Sequence, residues 1–237
     1  MTSDPFIILA SGSPRRREFM QLLGLPFRVI TPAMVGEAVD ETPRPNEKPQ
    51  ALVQRLSRLK AEAVLKHLPS LTPPAFDPLP SYTLTHPVVI AADTVVVFHD
   101  QILGKPQNPA EARHMLKQLR RETHSVYTGF SLAWFALSTP QNPSHITRLH
   151  HSRVAMRPYT DAEIEAYIAS GDPLDKAGAY GIQNKEFNPV AGLDGCYAGV
   201  MGLPLGMLAE ALREIELDLP PIAPLCHHFT GHACCQQ

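Results

Sequence analysis

The sequence predicts an α/β fold with a mixed central sheet flanked by helices. Apolar runs typical of strands alternate with segments of helical spacing, which is the pattern of α/β proteins. One run, Val88–Phe98, is rich in β-branched residues and suits a strand buried on both faces. Two further β-like stretches follow each other without a helix between them, which indicates antiparallel pairing and therefore a mixed sheet. In such sheets we expect ligands at the carboxyl ends of strands.

In the first half of the chain, strands and helices alternate. Residues 6–10 form a short apolar run that ends in a Ser-Gly-Ser-Pro loop, and residues 15–23 have helical spacing. A strand follows, and then a helix over residues 49–68. Its apolar positions recur at the helical period and leave Arg55 and Lys60 on other faces.

The second half adds helices with recognisable caps and a long hairpin. Asn108 and Pro109 suit an N-cap and a first helical position, and Thr160 and Glu163 form a capping box. A glycine-bearing loop, a strand and a final helix complete the order. The predicted ranges are 109–121, 160–171 and 204–217 for helices, 123–137 and 146–156 for the hairpin strands, and 138–145 for the hairpin tip.

Composition and charge exclude several classes of protein. The 237-residue chain is 44% hydrophobic, which is sufficient for one sizeable core. Its 21 basic and 23 acidic residues nearly balance, so we expect no binding to nucleic acid or to an anionic membrane. No stretch approaches about 20 apolar residues, and basic residues follow the first apolar run instead of preceding it. We therefore expect a cytoplasmic protein.

We assign residues 1–219 to one domain and residues 220–237 to a loosely attached tail. Within the domain, residues 69–87 are too rich in proline for a helix or a central strand, which predicts a surface insertion. The tail contains thiol and imidazole groups suited to Zn²⁺, and the alternative is a flexible end with adventitious ligands. These groups belong to Cys226, His227, His228, His232, Cys234 and Cys235.

The loop at residues 11–17 is a candidate phosphate site. Its sequence, Ser-Gly-Ser-Pro-Arg-Arg-Arg, precedes a helix, so backbone N–H groups and guanidinium groups could converge on one anion. Ser11, Ser13, Arg15 and Arg16 are therefore candidate substrate-binding residues. The alternative is that Ser13 caps the helix and the arginines form a solvated face.

Asp93 interrupts an apolar strand and is followed by Thr94. A buried carboxylate is unfavourable unless a cation, a metal or hydrogen-bond donors compensate it, so a metal-bound carboxylate fits this position. The alternative is an ion pair or a carboxylate satisfied by backbone donors. Lys105 follows a hairpin tip at residues 99–101 and returns toward the same region, where it could bind phosphate oxygens. Considered alone, Lys105 is an ordinary exposed turn residue.

A third candidate region is the loop at residues 172–183. It combines two acids, a lysine, a tyrosine and an amide with glycines, a composition typical of binding loops. Asp175, Lys176 and Gln183 are its candidate substrate-binding residues, and Gln183 could recognise a base edge through its paired donor and acceptor. The alternative is an ordinary glycine-rich connector.

Together these motifs resemble those of the Maf family of nucleotide pyrophosphatases. The matching segments are ASGSPRR (10–16), DETP (40–43), RLSRLKA (55–61), AADT (91–94), LGKP (103–106), DKAGAYGIQ (175–183) and VMGLPL (200–205). The resemblance extends over about residues 5–217. It implies a fold related to the inosine triphosphatases, with an elongated mixed sheet, two lobes around a cleft and usually a homodimer.

The resemblance also implies hydrolysis of a nucleoside triphosphate between its α- and β-phosphates, with Mg²⁺ or Mn²⁺. Asp93 matches the family's proton acceptor, and Glu41, Lys60 and Lys105 match further active-site positions. Asp93 and Glu41 are the candidate metal ligands. The positions tied to substrate choice are Arg15, Thr94 and Gln183.

The AYGIQ form at residues 179–183 resembles the branch of the family that acts on dTTP and UTP rather than the branch that acts on 7-methyl-GTP. Two residues depart from the family pattern: Asn184 stands where glycine is usual, and Gly199 where asparagine is frequent. Another nucleoside triphosphate, including a modified pyrimidine nucleotide, remains an alternative substrate.

A different alternative is a non-catalytic nucleotide-binding regulator of septum formation. A pure binder does not need a poised carboxylate at Asp93 beside Lys60 and Lys105, so the retained residues favour an enzyme.

Overall fold

The structure is a computed structural model that describes residues 6–68, 87–135, 142–217 and 219–233. A mixed sheet of seven strands has the order β2-β1-β3-β5-β6-β7, with β4 paired to β3. The first three strands in this order are parallel, and the remaining pairs are antiparallel. The strands are β1 (Ile7–Leu9), β2 (Phe27–Val29), β3 (Val88–Phe98), β4 (Gln101–Leu103), β5 (Thr123–Phe135), β6 (Pro143–Met156) and β7 (Val190–Asp194). The predicted mixed α/β architecture is confirmed.

Helices cover both faces of the sheet. They are α1 (Pro14–Leu22), α2 (Pro49–Leu65), α3 (Pro109–Leu119), α4 (Asp161–Ala169), α5 (Tyr197–Val200), α6 (Leu205–Arg213) and α7 (Ile222–Thr230). The predicted caps are confirmed, because Asn108 Oδ1 accepts from the Glu111 N–H at 2.9 Å and Thr160 and Glu163 exchange capping bonds. None of the helices within the described ranges is long and apolar enough to span a membrane.

The alternation of side chains along β1 and β3 explains how the sheet is buried on both faces. Ile7 and Leu9 pack in a cluster with α1, α6 and α7, whereas Ile8 packs in another cluster with α2. A separate cluster, around Tyr159 and Leu116, packs α3 and α4 against the end of β3, the start of β5 and the end of β6. The candidate site is a cleft lined by members of all three clusters.

The expectation of a loosely attached tail is wrong for residues 222–230. They form α7, and Ile222 and Cys226 are buried in the cluster that contains α1 and α6. Prolines before and within the first helical turn are compatible with a helix, because the first N–H groups have no intrahelical acceptor. The spacing of Ile222, Leu225, Cys226 and Phe229 is the signal that indicates this helix.

Cys226 is not placed to serve as a ligand of the predicted zinc site in the tail, because it lies in the hydrophobic core. His232 stacks on Tyr197, with ring centroids 4.5 Å apart. Within the described residues no group of three histidine, cysteine or acidic side chains could hold a metal ion. Cys234 and Cys235, residues 69–86 of the proline-rich insertion and residues 138–141 of the hairpin tip lie outside those residues.

Candidate active site

A cleft of about 860 Å³ opens at the carboxyl end of β1 and beside the middle of β3. Apart from the tail residues considered for Zn²⁺, every residue predicted to bind substrate or metal or to act in catalysis lines this cleft. These residues come from distant parts of the chain and are Ser11, Ser13, Arg15, Arg16, Glu41, Lys60, Asp93, Thr94, Lys105, Asp175, Lys176 and Gln183. The structure thus brings the predicted set together, while the individual roles stay predictions.

Lys60, on α2, joins the two acidic residues predicted to bind metal. Its Nζ lies 2.7 Å from Asp93 Oδ1 and 2.7 Å from Glu41 Oε1. The Asp93 side chain is 13% exposed and that of Lys60 15%, whereas Glu41 is 63% exposed. Lys60 therefore provides the compensating charge that a carboxylate in the middle of this strand requires.

Ser11 and Arg16 organise the loop between β1 and α1. Ser11 Oγ accepts from the Ser13 N–H at 3.3 Å and from Arg16 Nη1 at 3.2 Å, and Arg16 Nε donates to the Gly202 carbonyl at 2.9 Å. Desolvation lowers the pKa of the Arg16 guanidinium, and the Asp93 carboxylate opposes this shift. Ser13 occupies the N-cap position, but its side chain makes no capping bond. The alternative is thus right about the position of Ser13, but Arg16 bonds protein atoms instead of forming a solvated face.

The hydroxyl of Thr94 is oriented by a chain of hydrogen bonds. Thr128 Oγ1 donates to the Gly199 carbonyl at 2.8 Å and lies 2.9 Å from Thr94 Oγ1. Because Thr128 has a single hydroxyl proton, the proton between the two threonines comes from Thr94. Thr94 Oγ1 then accepts from Arg16 Nη2 at 3.3 Å. Thr94 thus positions Arg16 beside Asp93, and this contact is not apparent from sequence spacing.

Lys176 is bound to the loop that contains it. Its Nζ donates to the Asp172 carbonyl at 2.6 Å, to Asp172 Oδ1 at 2.8 Å and to Asp175 Oδ1 at 2.6 Å. Burial opposes ionisation of both acids, but the Lys176 hydrogen bonds lower the pKa of each. Tyr167 Oη donates to Asp172 Oδ2 at 2.7 Å and accepts from the Gly181 N–H at 3.0 Å. These bonds favour a positioning role for Lys176 over direct contact with substrate.

Lys105, Gln183 and Arg15 are better placed than Lys176 to contact a ligand. Within the described residues, the side chains of Lys105 and Gln183 form no hydrogen bond or ion pair, and both line the cleft. Arg15 Nη1 lies 3.6 Å from Asp175 Oδ2, which links the two walls of the cleft. Gly181 leaves room for the amide, because a Cβ there would lie 3.1 Å from Gln183 Nε2.

Asp93 and Glu41 fit a divalent cation that also binds a triphosphate. Their oxygens converge on a single positive charge, the Lys60 ammonium. They do not form a complete protein cage, since no third acidic, histidine or cysteine ligand joins them among the described residues. A divalent cation such as Mg²⁺ typically binds one or two carboxylates together with water and substrate phosphates, so two carboxylates are a sufficient protein donor set for such a cation.

The two departures from the family pattern have structural partners. Asn184 Nδ2 donates to Asp172 Oδ2 at 3.1 Å, and its Oδ1 accepts from the Phe187 N–H at 2.8 Å. Gly199 packs closely against His150, where a Cβ would come 3.0 Å from the imidazole Nδ1. Asn184 therefore strengthens the loop that contains Gln183, and Gly199 admits the histidine.

Comparisons with known proteins agree with the sequence motifs. The family model described as Maf-like protein matches residues 6–215. A dTTP/UTP pyrophosphatase of Agathobacter rectalis is 40% identical over 221 residues, covering 90% of this chain and 98% of that relative. One from Moorella thermoacetica is 41% identical over 215 residues, covering 90% and 96%. Among solved structures, the Staphylococcus aureus Ham1 protein is 14% identical with a TM-score of 0.43, covering 90% of this chain and 100% of that one.

Proposed function

The chain belongs to the Maf family, and we propose that it hydrolyses dTTP and UTP to the nucleoside monophosphate and pyrophosphate. Relatives with that name are about 40% identical to it over nearly their full length. The observation that carries the proposal is the Lys60 ammonium between Asp93 and Glu41, in the same cleft as the loop that follows β1. This arrangement combines a carboxylate base with cations for a polyphosphate.

In the proposed reaction, Asp93 accepts a proton from a water molecule that attacks the α-phosphorus. The bond between that phosphorus and the bridging oxygen breaks, and pyrophosphate leaves with the electron pair. Lys60 fixes Asp93 Oδ1 at 2.7 Å, which leaves Oδ2 to orient the water. Such a reaction depends mainly on positioning and on stabilisation of negative charge.

Cations on both walls of the cleft are suited to the phosphates. We assign binding of the leaving pyrophosphate to Arg15 and Lys105. Arg16 is assigned the ordering of the β1–α1 loop, because its guanidinium donates to Ser11 Oγ, Thr94 Oγ1 and the Gly202 carbonyl. Mg²⁺ or Mn²⁺ held by Asp93 and Glu41 would supply further neutralisation of phosphate charge.

Recognition of the base is assigned to Gln183. Its amide carries both a donor and an acceptor, as does the edge of thymine or uracil. A homodimer, as the family resemblance implies, and a location in the cytoplasm, as expected from the sequence, complete the proposal.

A phosphate-release screen tests this function. The purified protein is incubated with dTTP, UTP, CTP, ATP, GTP and 7-methyl-GTP, with inorganic pyrophosphatase present and with Mg²⁺ added or withheld. We expect Mg²⁺-dependent release from dTTP and UTP far above the other nucleotides. Release led by 7-methyl-GTP would overturn the branch assignment.

A pair of acid-to-amide variants tests the base. Asp93→Asn is expected to stay folded and lose at least about 1,000-fold in kcat, because the proton acceptor is gone. Asp100→Asn, on the exposed turn after the same strand, serves as the matched control and should retain activity. Normal turnover of dTTP by Asp93→Asn would reject the role of Asp93.

A further inference from the structure

Arg55 and Glu47 form a bidentate ion pair at the start of α2, outside the set of residues predicted from the sequence. Arg55 Nε lies 2.7 Å from Glu47 Oε1, and Arg55 Nη2 lies 2.7 Å from Glu47 Oε2. The two side chains are only 14% and 9% exposed. The Arg55 hydrogen bonds lower the pKa of Glu47 to about 2, so this carboxylate is charged at neutral pH. A planar guanidinium matches both carboxylate oxygens, a geometry that lysine does not reproduce.

The same guanidinium also binds the backbone on both sides of Glu41. Arg55 Nη2 donates to the Thr42 carbonyl at 3.0 Å, and Arg55 Nη1 reaches the Asp40 carbonyl at 3.5 Å. The loop has its own support, because the Thr42 N–H donates to Asp40 Oδ1 at 2.9 Å. The Glu41 side chain is largely exposed, and among the described residues its ion-pair partner is Lys60. Its location therefore depends on the backbone that Arg55 holds.

We propose that Arg55 is a positioning residue that holds the 40–47 loop against α2 so that Glu41 faces Asp93 across Lys60. One helix then contributes both contacts: Lys60 binds the Glu41 side chain, and Arg55, five residues earlier, fixes the flanking carbonyls. Glu47 keeps the guanidinium in the orientation that these carbonyls require. The role of Glu41 in the reaction rests on the proposed function. The structural role of Arg55 is independent of that function.

A second effect of Arg55 has to be separated from this one. Arg55 is a cation that interacts electrostatically with Asp93, so its charge alone could assist the site. Arg55→Lys retains the charge but lacks the planar fork, and Arg55→Gln removes both. A positioning role predicts that the two variants behave alike, because both lose the bidentate pair and the paired carbonyl contacts.

The first measurement is amide hydrogen exchange of the full chain without nucleotide. In Arg55→Gln, Arg55→Lys and Glu47→Gln we expect exchange in peptides covering residues 40–47 to accelerate at least about tenfold, with other regions unchanged. Arg58→Gln is the matched control, since Arg58 lies on the same helix and pairs with Glu62 on an exposed face. Unchanged exchange in the loop of all three variants would overturn the proposal. Glu47→Gln keeps the test available if an Arg55 variant fails to fold.

The second measurement is a double-mutant cycle of dTTP hydrolysis with Arg55→Gln and Glu41→Gln. If Arg55 acts through Glu41, the double variant loses no more kcat than Glu41→Gln does alone. Multiplied losses, or restoration of activity by Arg55→Lys, would overturn the proposal. If the unmodified protein does not hydrolyse dTTP, the proposed function fails, and the exchange experiment still decides whether Arg55 holds the loop.

Discussion

Gly129 on β5 lies directly opposite Asp93 on β3, and the backbone of α2 packs against it. A Cβ at position 129 would come 2.5 Å from the Val53 carbonyl oxygen. Because α2 also carries Lys60, the absence of a side chain at Gly129 sets the distance between that lysine and the sheet. Ser57 on the same helix adds a second contact, with its Oγ 2.9 Å from Ser131 Oγ.

The first prediction concerns this close approach. Gly129→Ala forces α2 away from the sheet, so we expect a loss of about 2 kcal/mol or more in the free energy of unfolding. A fall of at least about tenfold in kcat should accompany it, because Lys60 moves relative to Asp93. Denaturant unfolding and dTTP hydrolysis measure these effects. Gly192→Ala on β7 is the control, since its Cβ would meet only the Ala155 methyl group at 3.8 Å. Equal behaviour of the two variants would contradict the prediction.

The second prediction concerns the threonine chain beside Arg16. Thr128→Val preserves the shape of the side chain and removes the hydroxyl that accepts from Thr94, so Thr94 no longer has a fixed orientation. We expect a loss of about 1 kcal/mol in the free energy of unfolding and a several-fold decrease in kcat. Thr128→Ser retains the hydroxyl and should stay close to the unmodified protein. If Thr128→Ser shows the same loss of kcat as Thr128→Val, the hydroxyl chain is not responsible.

The third prediction is a pH dependence of stability that arises from His124. Desolvation lowers the pKa of this buried histidine from 6.5 to about 4, and its Nε2 lies 2.8 Å from Tyr180 Oη. Between those two values the unfolded chain binds more protons than the folded protein, so stability decreases as the pH falls from 6.5 toward 4. The loss approaches about 3 kcal/mol at the low end of this window.

Comparison with His124→Gln isolates this contribution. Unfolding free energies of both proteins are measured in urea at intervals from pH 7.5 to pH 4.5. The variant should show a shallower decrease between pH 6.5 and pH 4.5 than the unmodified protein. Parallel curves would mean that His124 is not the titrating group.

The fourth prediction concerns Asn184. Asn184→Gly removes the bonds to Asp172 and Phe187, so we expect a loss of about 1–2 kcal/mol in the free energy of unfolding. The KM for dTTP should rise several-fold with little change in kcat, because the loop that presents Gln183 becomes less ordered before it binds the base. Lys185→Gly adds the same backbone freedom without removing these bonds and is the control. A lower kcat at unchanged KM would assign Asn184 to the chemical step.

The sequence by itself determined the element types before residue 220 and the candidate site residues that line the cleft. Strand and helix periods depend on residues within a few positions of one another, which is why β3, α3 and the Thr160 cap could be predicted. Asp93 was identifiable because a charge in an apolar strand is locally anomalous. The ordered motifs then indicated which distant segments share one site.

Only the tertiary structure decided how those segments contact one another. Nothing in the local sequence distinguishes Glu47 or Thr128 from an ordinary polar residue. Nor does the sequence around Lys176 show that its ammonium group forms hydrogen bonds with Asp172 and Asp175. The burial of Cys226 likewise depends on where α7 packs. Hydrogen bonds and ion pairs between remote residues require distances of about 3 Å, and chain folding, not sequence spacing, sets such distances.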